Sequence, residues 1–201
     1  MNISNLIYVK ENVLSEIDCQ EIIEKFNNDD RKYSGTVGSI HKRVNTSLKK
    51  SKDLSISLHS DWKKHDEMIY EIFNHHLNLY FQNLDKKFGK IIPHSIVDLS
   101  IKTFKDLGYI IRSYEEGEGY YNWHNDFALT LENGLRLFTF ILYLNDVEAG
   151  GETEFIDGTI ITPKTGKILI FPTSWYLVHR GKMPKTSVKY IITGWLFGKN
   201  W

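Results

Sequence analysis

The sequence predicts a mostly β fold with flanking helices (α+β), in which a double-stranded β-helix of the jelly-roll or cupin-like kind is supported by N-terminal helices. After Pro93, short runs rich in β-branched and aromatic residues recur at 96–104, 109–114, 136–144, 159–161, 167–171 and 189–197. Glycine-bearing turn signals separate them, at Gly117-Glu118-Gly119, Asn133-Gly134, Gly150-Gly151, Asp157-Gly158, Thr165-Gly166 and Gly181. Before Pro93 the apolar residues recur at helical spacing instead. Many short strands joined by tight turns form two packed sheets, and the helices are left to buttress one outer face.

The first helix is expected over 15–27, because Ser15 can cap it, Glu16 and Asp18 follow in the first turn, and Ile17, Ile22, Ile23 and Phe26 repeat at helical spacing. Residues 28–58 are polar and basic, contain Gly35 and Gly38, and read as a long loop or hairpin that orders when substrate arrives. From Asp61 to about Phe88 a wide stripe that includes Ile69, Phe73, Leu77, Tyr80, Phe81 and Leu84 predicts a second helix that packs on a sheet, with Asp61 as its cap. The change of period near residue 93 reads as a support layer and substrate loop (1–95) meeting a jelly-roll catalytic core (96–201) within a single domain spanning 1–201.

Hydrophobic residues make up 41% and charged residues 25%, an ordinary globular balance that indicates neither disorder nor a fibrous repeat. The formal net charge is zero, so no global field draws the chain to nucleic acid or to an anionic membrane. One local exception stands out. Residues 31–64 hold nine Lys or Arg against Asp53 and Asp61, which reads first as a solvated loop and second as a face for an acidic partner. Cys19 is the only cysteine, so no intrachain disulfide forms and a reducing, cytoplasmic setting is expected. The N-terminal residues lack a basic stretch followed by an apolar one, and no run of about 18 apolar residues occurs.

The most informative feature is His124-Asn125-Asp126, followed by His179 and then Lys189. Two histidines and one carboxylate make the facial triad that holds non-haem Fe(II) with coordination positions left open. In an extended strand, residues two apart face one side, so His124 and Asp126 can both point inward, and the segment Trp175 to His179 reads as the strand that brings the third ligand. Lys189 lies within an otherwise apolar run, where a buried ammonium needs a counter-ion, and the far carboxylate of a 2-oxoacid cosubstrate would supply it. A second His-x-Asp pair, His59-Ser60-Asp61, sits at the start of the second helix and is read as a decoy. His41, His65, His75, His76 and His94 are read as surface or helix-face residues.

The surroundings of the triad carry further motifs: Tyr-x-x-His-x-Asp at 121–126, Arg-x-x-Thr at 136–139, Leu-Tyr-Leu-Asn at 142–145, Gly-Gly-Glu-Thr at 150–153, Pro-x-x-Gly at 163–166, and His-x9-Lys-x5-Trp from 179 to 195. In this order and spacing the chain resembles the Fe(II)- and 2-oxoglutarate-dependent dioxygenases, and within them the prolyl 4-hydroxylase alpha-subunit catalytic domain. The likeness covers residues 109–198, and Arg43 to Ser47 resembles the family's mobile substrate-covering loop. It implies His124, Asp126 and His179 as iron ligands, Lys189 as partner of the distal carboxylate of 2-oxoglutarate, and Tyr114 and Tyr143 as lining of the cosubstrate pocket. It also implies Tyr121, Arg136 and Trp195 around a substrate proline, while Glu152 and Thr153 are expected in a turn that shapes the mouth without direct chemistry.

What the resemblance implies as activity is oxidative decarboxylation of 2-oxoglutarate to succinate and CO2, coupled through O2 to hydroxylation of peptidyl proline, with ascorbate as a possible reductant for oxidised iron. Asp126 disfavours halogenation, since halogenases of this kind carry a small residue there, and Lys189 disfavours nucleic-acid demethylation. The partner is then a proline-containing peptide or protein, with no nucleic acid or membrane, and the oligomeric state is open. Two other readings stand beside it: hydroxylation of lysyl peptides or a free amino acid on the same scaffold, and a non-catalytic metal-binding cupin-like module. Acidic residues expected near the mouth (Glu115, Glu116, Glu118, Asp146, Glu148, Glu152 and Glu154) suit a cationic substrate or merely solvate loops. With a single domain, substrate selection falls to the site rim and the 28–58 stretch.

Overall fold

Ser15 starts the first helix as its sequence requires: its hydroxyl accepts from the Asp18 amide at 3.1 Å, which satisfies one of the free N–H groups of the first turn. The computed structural model describes residues 3–38, 42–89, 104–130 and 132–198. In chain order these form Tyr8–Lys10 (β1), Glu16–Asn27 (α1), Tyr33–Ser34 (β2), Thr36–Val37 (β3), Arg43–Val44 (β4), Lys49–Lys50 (β5), Lys52–Ser55 (β6) and Lys63–Phe88 (α2). Then follow Phe104–Tyr114 (β7), Tyr120–His124 (β8), Leu129–Thr130 (β9), Gly134–Tyr143 (β10), Thr153–Phe155 (β11), Ile160–Ile161 (β12), Lys167–Pro172 (β13), His179–Gly181 (β14) and Lys189–Gly198 (β15). The part of the expected 96–104 strand before Phe104 lies outside the described residues, as do His41 and His94.

Two antiparallel sheets make the jelly roll. The larger runs β1-β13-β10-β15-β7-β6-β2, with β9 paired to β10, and the smaller runs β12-β11-β14-β8-β5. Strand alternation sorts the long strands onto two faces. On β10, Phe138, Phe140 and Leu142 face the helices with Ile168 and Ile170 of β13 and Ile192 of β15. The intervening Ile141 and Tyr143 face the other sheet, with Leu169 and Phe171 of β13 and Ile191 of β15. The helix-side face is where α1 and α2 pack: Phe73 stacks on Phe140 with ring centroids 4.3 Å apart, and Phe81 meets the edge of Phe138 at 5.5 Å. Both helices thus buttress one outer face, as their apolar stripes predict.

Three details differ from the sequence reading. Asp61 does not cap α2; a 3-10 turn at Ser60–Trp62 precedes the helix, Trp62 takes the cap position without a side-chain bond, and Asp61 instead accepts from the Arg31 guanidinium at 3.0 and 2.8 Å. Two bonds to a guanidinium, charged on both sides, outweigh a single cap bond to a neutral amide. The 28–58 stretch is not one loop: it holds the hairpin alternative, with β3 paired to β4 and β2 to β6, and it also joins the sheets, because β5 pairs with β8 and β6 with β7, burying Leu54 against the core. For the same reason the first 95 residues are more than a helical support: they contribute β1, β2 and β6 to the large sheet and β5 to the small one.

An irregularity in the β15–β7 pairing lies between Gly194 and Leu196, opposite Leu107 and Gly108. Gly108 has φ 89°, and a Cβ there would meet Ser57, whose hydroxyl accepts from the Tyr109 amide at 2.8 Å. The bulge leaves Trp195 without a partner on β7, while on its other side it pairs with Thr139 of β10.

Phe73→Ala is expected to destabilise the fold by about 3–5 kcal/mol in chemical denaturation, because it opens a cavity between α2 and β10. Tyr70→Ala, on the exposed side of the same helix, is expected to stay within about 0.5 kcal/mol of the parent.

Candidate active site and metal centre

The pairing of β8 with β14 sets His179 directly across from His124, with their ring centroids 4.3 Å apart. Asp126 comes two residues later, beyond the end of β8, so extended-strand alternation alone does not aim it. Its neighbours do: Thr139 Oγ1 donates to Oδ2 at 2.8 Å, and Arg136 Nη1 donates to its backbone carbonyl at 3.1 Å. His179 is likewise the first residue of β14 rather than the end of a strand, and Trp175 to Val178 form the turn before it, with Trp175 and Tyr176 exposed. The three donor groups lie within 4.8 Å of one another, so the structure brings together the triad that the motif spacing implies.

The tautomers follow from backbone contacts. His124 Nδ1 lies 2.8 Å from the Asn122 carbonyl and His179 Nδ1 lies 3.1 Å from the Leu177 carbonyl, so each Nδ1–H donates to a carbonyl and each Nε2 keeps its lone pair. Those Nε2 atoms point at Asp126, at 4.0 Å from Oδ1 and 3.7 Å from Oδ2, too long for hydrogen bonds and suited to a shared ion. Burial, then the neighbouring His179, depresses the His124 pKa. Burial would raise that of Asp126, but His179, His124 and Arg136 outweigh it and hold the carboxyl below the usual range. At neutral pH His124 and Asp126 are therefore a neutral imidazole and a carboxylate, the forms that bind Fe(II). The donor set fits the metal.

Between the sheets, beside the triad, lies a cavity lined from the large sheet by Arg112, Tyr114, Thr139, Tyr143, Lys189 and Trp195, and from the small one by Tyr121, Thr153 and Gly181. Lys189 is 2% exposed, and its Nζ donates to the Gly151 carbonyl at 2.9 Å and lies 4.4 Å from the centre of the Tyr114 ring. No carboxylate stands within salt-bridge distance among the described residues. Burial drives its pKa down to about 7, against a smaller opposing pull from Glu152. A buried amine with one carbonyl partner at the end of a polar cavity fits the distal carboxylate of 2-oxoglutarate.

Tyr114 and Tyr143 line this cavity. Tyr143 Oη is paired with Thr153 Oγ1 at 2.7 Å, so Thr153 is a wall of the cavity and not merely part of a turn. Tyr121 stacks on His124 at 3.5 Å with an interplanar angle of 14°, and Trp195 lies with the Arg136 guanidinium 4.3 Å over its ring. Arg136, Tyr121 and Trp195 thus converge at the mouth, where a groove of about 850 Å³ leads outward between β7 and the β2–β4 segment. The second pair, His59 and Asp61, takes no part in the triad.

The sequence reading passed over Lys49, Asp53 and Arg112. Lys49 was hidden in a run of basic residues, yet it is 1% exposed and donates to Asp53 at 2.7 Å. Arg112 was findable, since it stands two residues before Tyr114 on the same face of β7.

Sheet sandwich, facial triad and lysine-ended cavity together define the class of non-haem Fe(II), 2-oxoacid-dependent oxygenases. Residues 109–197 match the family model of the 2OG-Fe(II) oxygenase superfamily. Over 113 residues the chain is 35% identical to prolyl 4-hydroxylase subunit alpha-2 of Gallus gallus, covering 53% of this chain and 20% of that protein. It is 36% identical over 69 residues to prolyl 4-hydroxylase subunit alpha-3 of Mus musculus, covering 31% of this chain and 12% of that protein. The chain thus spans a fifth or less of the length of these curated relatives. Its fold resembles a prolyl hydroxylase from Trichoplax adhaerens solved with a hypoxia inducible factor peptide fragment (TM-score 0.73, 15% identity, 97% of this chain and 84% of that one).

Thr139→Val is expected to lower Fe(II) affinity by roughly 10–100-fold in anaerobic calorimetry, because it removes the donor that orients Asp126. The affinity for 2-oxoglutarate is expected to be full below about pH 7 and to fall by up to about tenfold per pH unit above it, since the anion binds the ammonium form of Lys189. Lys189→Arg, always charged, is expected to flatten that profile in a binding titration.

Proposed function

We propose that the chain is a prolyl 4-hydroxylase: it hydroxylates peptidyl proline while 2-oxoglutarate is decarboxylated to succinate and CO2. The observation that carries this reading is the meeting of Tyr121, Arg136 and Trp195 at one mouth, beside the triad and open to a groove of about 850 Å³. Aromatic faces suit a pyrrolidine ring, and Arg136 Nε and Trp195 Nε1, both buried without a partner, are donors for the peptide carbonyls beside it. The curated relatives are prolyl 4-hydroxylase subunits, and one structural neighbour was solved with a peptide, which supports a peptide substrate.

Iron(II), with 2-oxoglutarate and O2, supplies the oxidising chemistry that places one oxygen atom on a substrate carbon. The chain supplies position and exclusion of water. His124, Asp126 and His179 would hold the metal, and Lys189 would take the far carboxylate of the cosubstrate. Thr139 and the Asn122 and Leu177 carbonyls keep those ligands in their binding rotamers and tautomers. Tyr121, stacked on His124, closes one side of the space where the reacting carbon must sit. Ascorbate as a reductant for iron oxidised in unproductive cycles belongs to the same proposal.

The acidic residues that would favour a lysyl substrate do not line the groove. Asp146 pairs with Lys164, Glu118 with Lys50 and Glu154 with Arg180, while Glu152 faces Lys182. Cationic substrates therefore lose their main support.

Anaerobically prepared protein given Fe(II), 2-oxoglutarate and O2 is expected to produce succinate faster when a proline-rich peptide is added, and the peptide to gain about one oxygen atom in mass. His179→Ala is expected to lose both. Succinate without any peptide stimulation would send the reading to a free amino acid.

A further inference from the structure

The groove and the cavity behind it carry more positive charge than their known occupants can neutralise. Among the described residues, the charged groups lining the groove are Arg31, Lys42, Arg112 and Arg136 against Asp53 and Asp126. Arg31 is satisfied by Asp29 and Asp61, at 2.5 and 2.8 Å. The others are not balanced. Asp53 serves two cations, accepting from Lys49 Nζ at 2.7 Å with Arg112 Nε 3.2 Å from the same oxygen, while Ser51 donates to its other oxygen at 2.7 Å. Asp126 is committed to the metal and to Arg136. Counting the inner end, Lys49, Arg112, Arg136 and Lys189 face Asp53 and Asp126. A divalent iron and the 2-oxoglutarate dianion cancel each other. Two positive charges then remain uncompensated in a pocket where most groups are shielded from water, and uncompensated buried charge is costly.

Among the described residues, two buried donors at the same junction have no hydrogen-bond partner, Arg136 Nε and Trp195 Nε1, and Arg112 Nε, 3.2 Å from Asp53 Oδ2, lacks hydrogen-bond geometry to it. Trp195 has the Arg112 guanidinium 5.3 Å from its ring and that of Arg136 4.3 Å from it. Arg112 lines both the inner cavity and the outer groove, so it sits where the residue next to the target must pass. The outer wall adds one more cation, Lys42, exposed along it.

Resting on the prolyl reading above, we propose that the substrate is a prolyl peptide with an acidic residue beside the target proline, whose carboxylate is taken by Arg112 at the junction of cavity and groove. Lys42 favours further acidic residues along the outer wall. Arg112 is then a specificity-determining residue.

The test uses the whole chain loaded with Fe(II) and 2-oxoglutarate without oxygen, and three labelled peptides identical except for Asp, Asn or Lys beside a single proline. Anisotropy is expected to show the Asp peptide bound about tenfold more tightly than the Asn peptide, and the Lys peptide weakest. Arg112→Gln is expected to erase the gap between Asp and Asn, and Arg112→Lys to keep part of it. If Arg112→Gln does not fold, the wild-type series decides. Equal binding of the three peptides, or a preference for Lys, overturns the inference even where oxygen then yields hydroxyproline from all of them. Hydroxylation of none of them overturns the prolyl reading, and this inference with it.

Discussion

The pairing of β8 with β14 is the constraint on which the site depends. It places His124 opposite His179 in an antiparallel register, and a slip of one residue would turn one imidazole to the far side of the sheet. Neither strand is long, so the register has to be held from both flanks. β5 holds β8 through Lys49 and Tyr121, and β11 holds β14 through Phe155 and His179. Phe155 is fully buried and packs its ring 5.2 Å from Phe171 of the opposite sheet, so the core between the sheets fixes the metal ligands by ordinary packing.

The large sheet meets two demands at once because its strands alternate. Its helix-side face is apolar enough to need α1 and α2 over it, and its inner face carries Arg112, Tyr114, Thr139, Tyr143, Lys189 and Trp195. Polar groups on that face cost desolvation unless each has a partner. Some have one within the protein, as Thr139 has Asp126 and Tyr143 has Thr153. Lys189 has only a backbone carbonyl, and Arg112 shares its carboxylate with Lys49. On the proposed function, the groups left short of partners are the ones that would face cosubstrate and substrate.

Much of this was legible in the sequence because it depends on short-range pattern. The strand runs, Ser15 as a helix cap, the triad and Lys189 all follow from spacing and residue type. What was not legible depends on which strands become neighbours. Asp61 looks like a cap until Arg31, 30 residues away, folds beside it. Lys49 looks like one more solvated lysine until β5 is laid against Tyr121, where its ammonium lies 5.5 Å from the ring centre and is sealed from water. Thr153 reads as part of a turn until Tyr143 is brought to it from β10. Polar residues that become buried through non-local pairing carry no periodic signature, whereas apolar ones do.

The central claim is that His124, Asp126 and His179 hold iron with positions left open for a 2-oxoacid chelate. Anaerobic titration of the protein with Fe(II) and 2-oxoglutarate, followed by visible absorption, tests it most directly, since a keto acid chelated to Fe(II) absorbs in a charge-transfer band that neither component gives alone. The account predicts that the band saturates at about one equivalent of each and is absent when Asp126 is replaced by alanine. Iron bound with no such band, or a band that persists without Asp126, would contradict it.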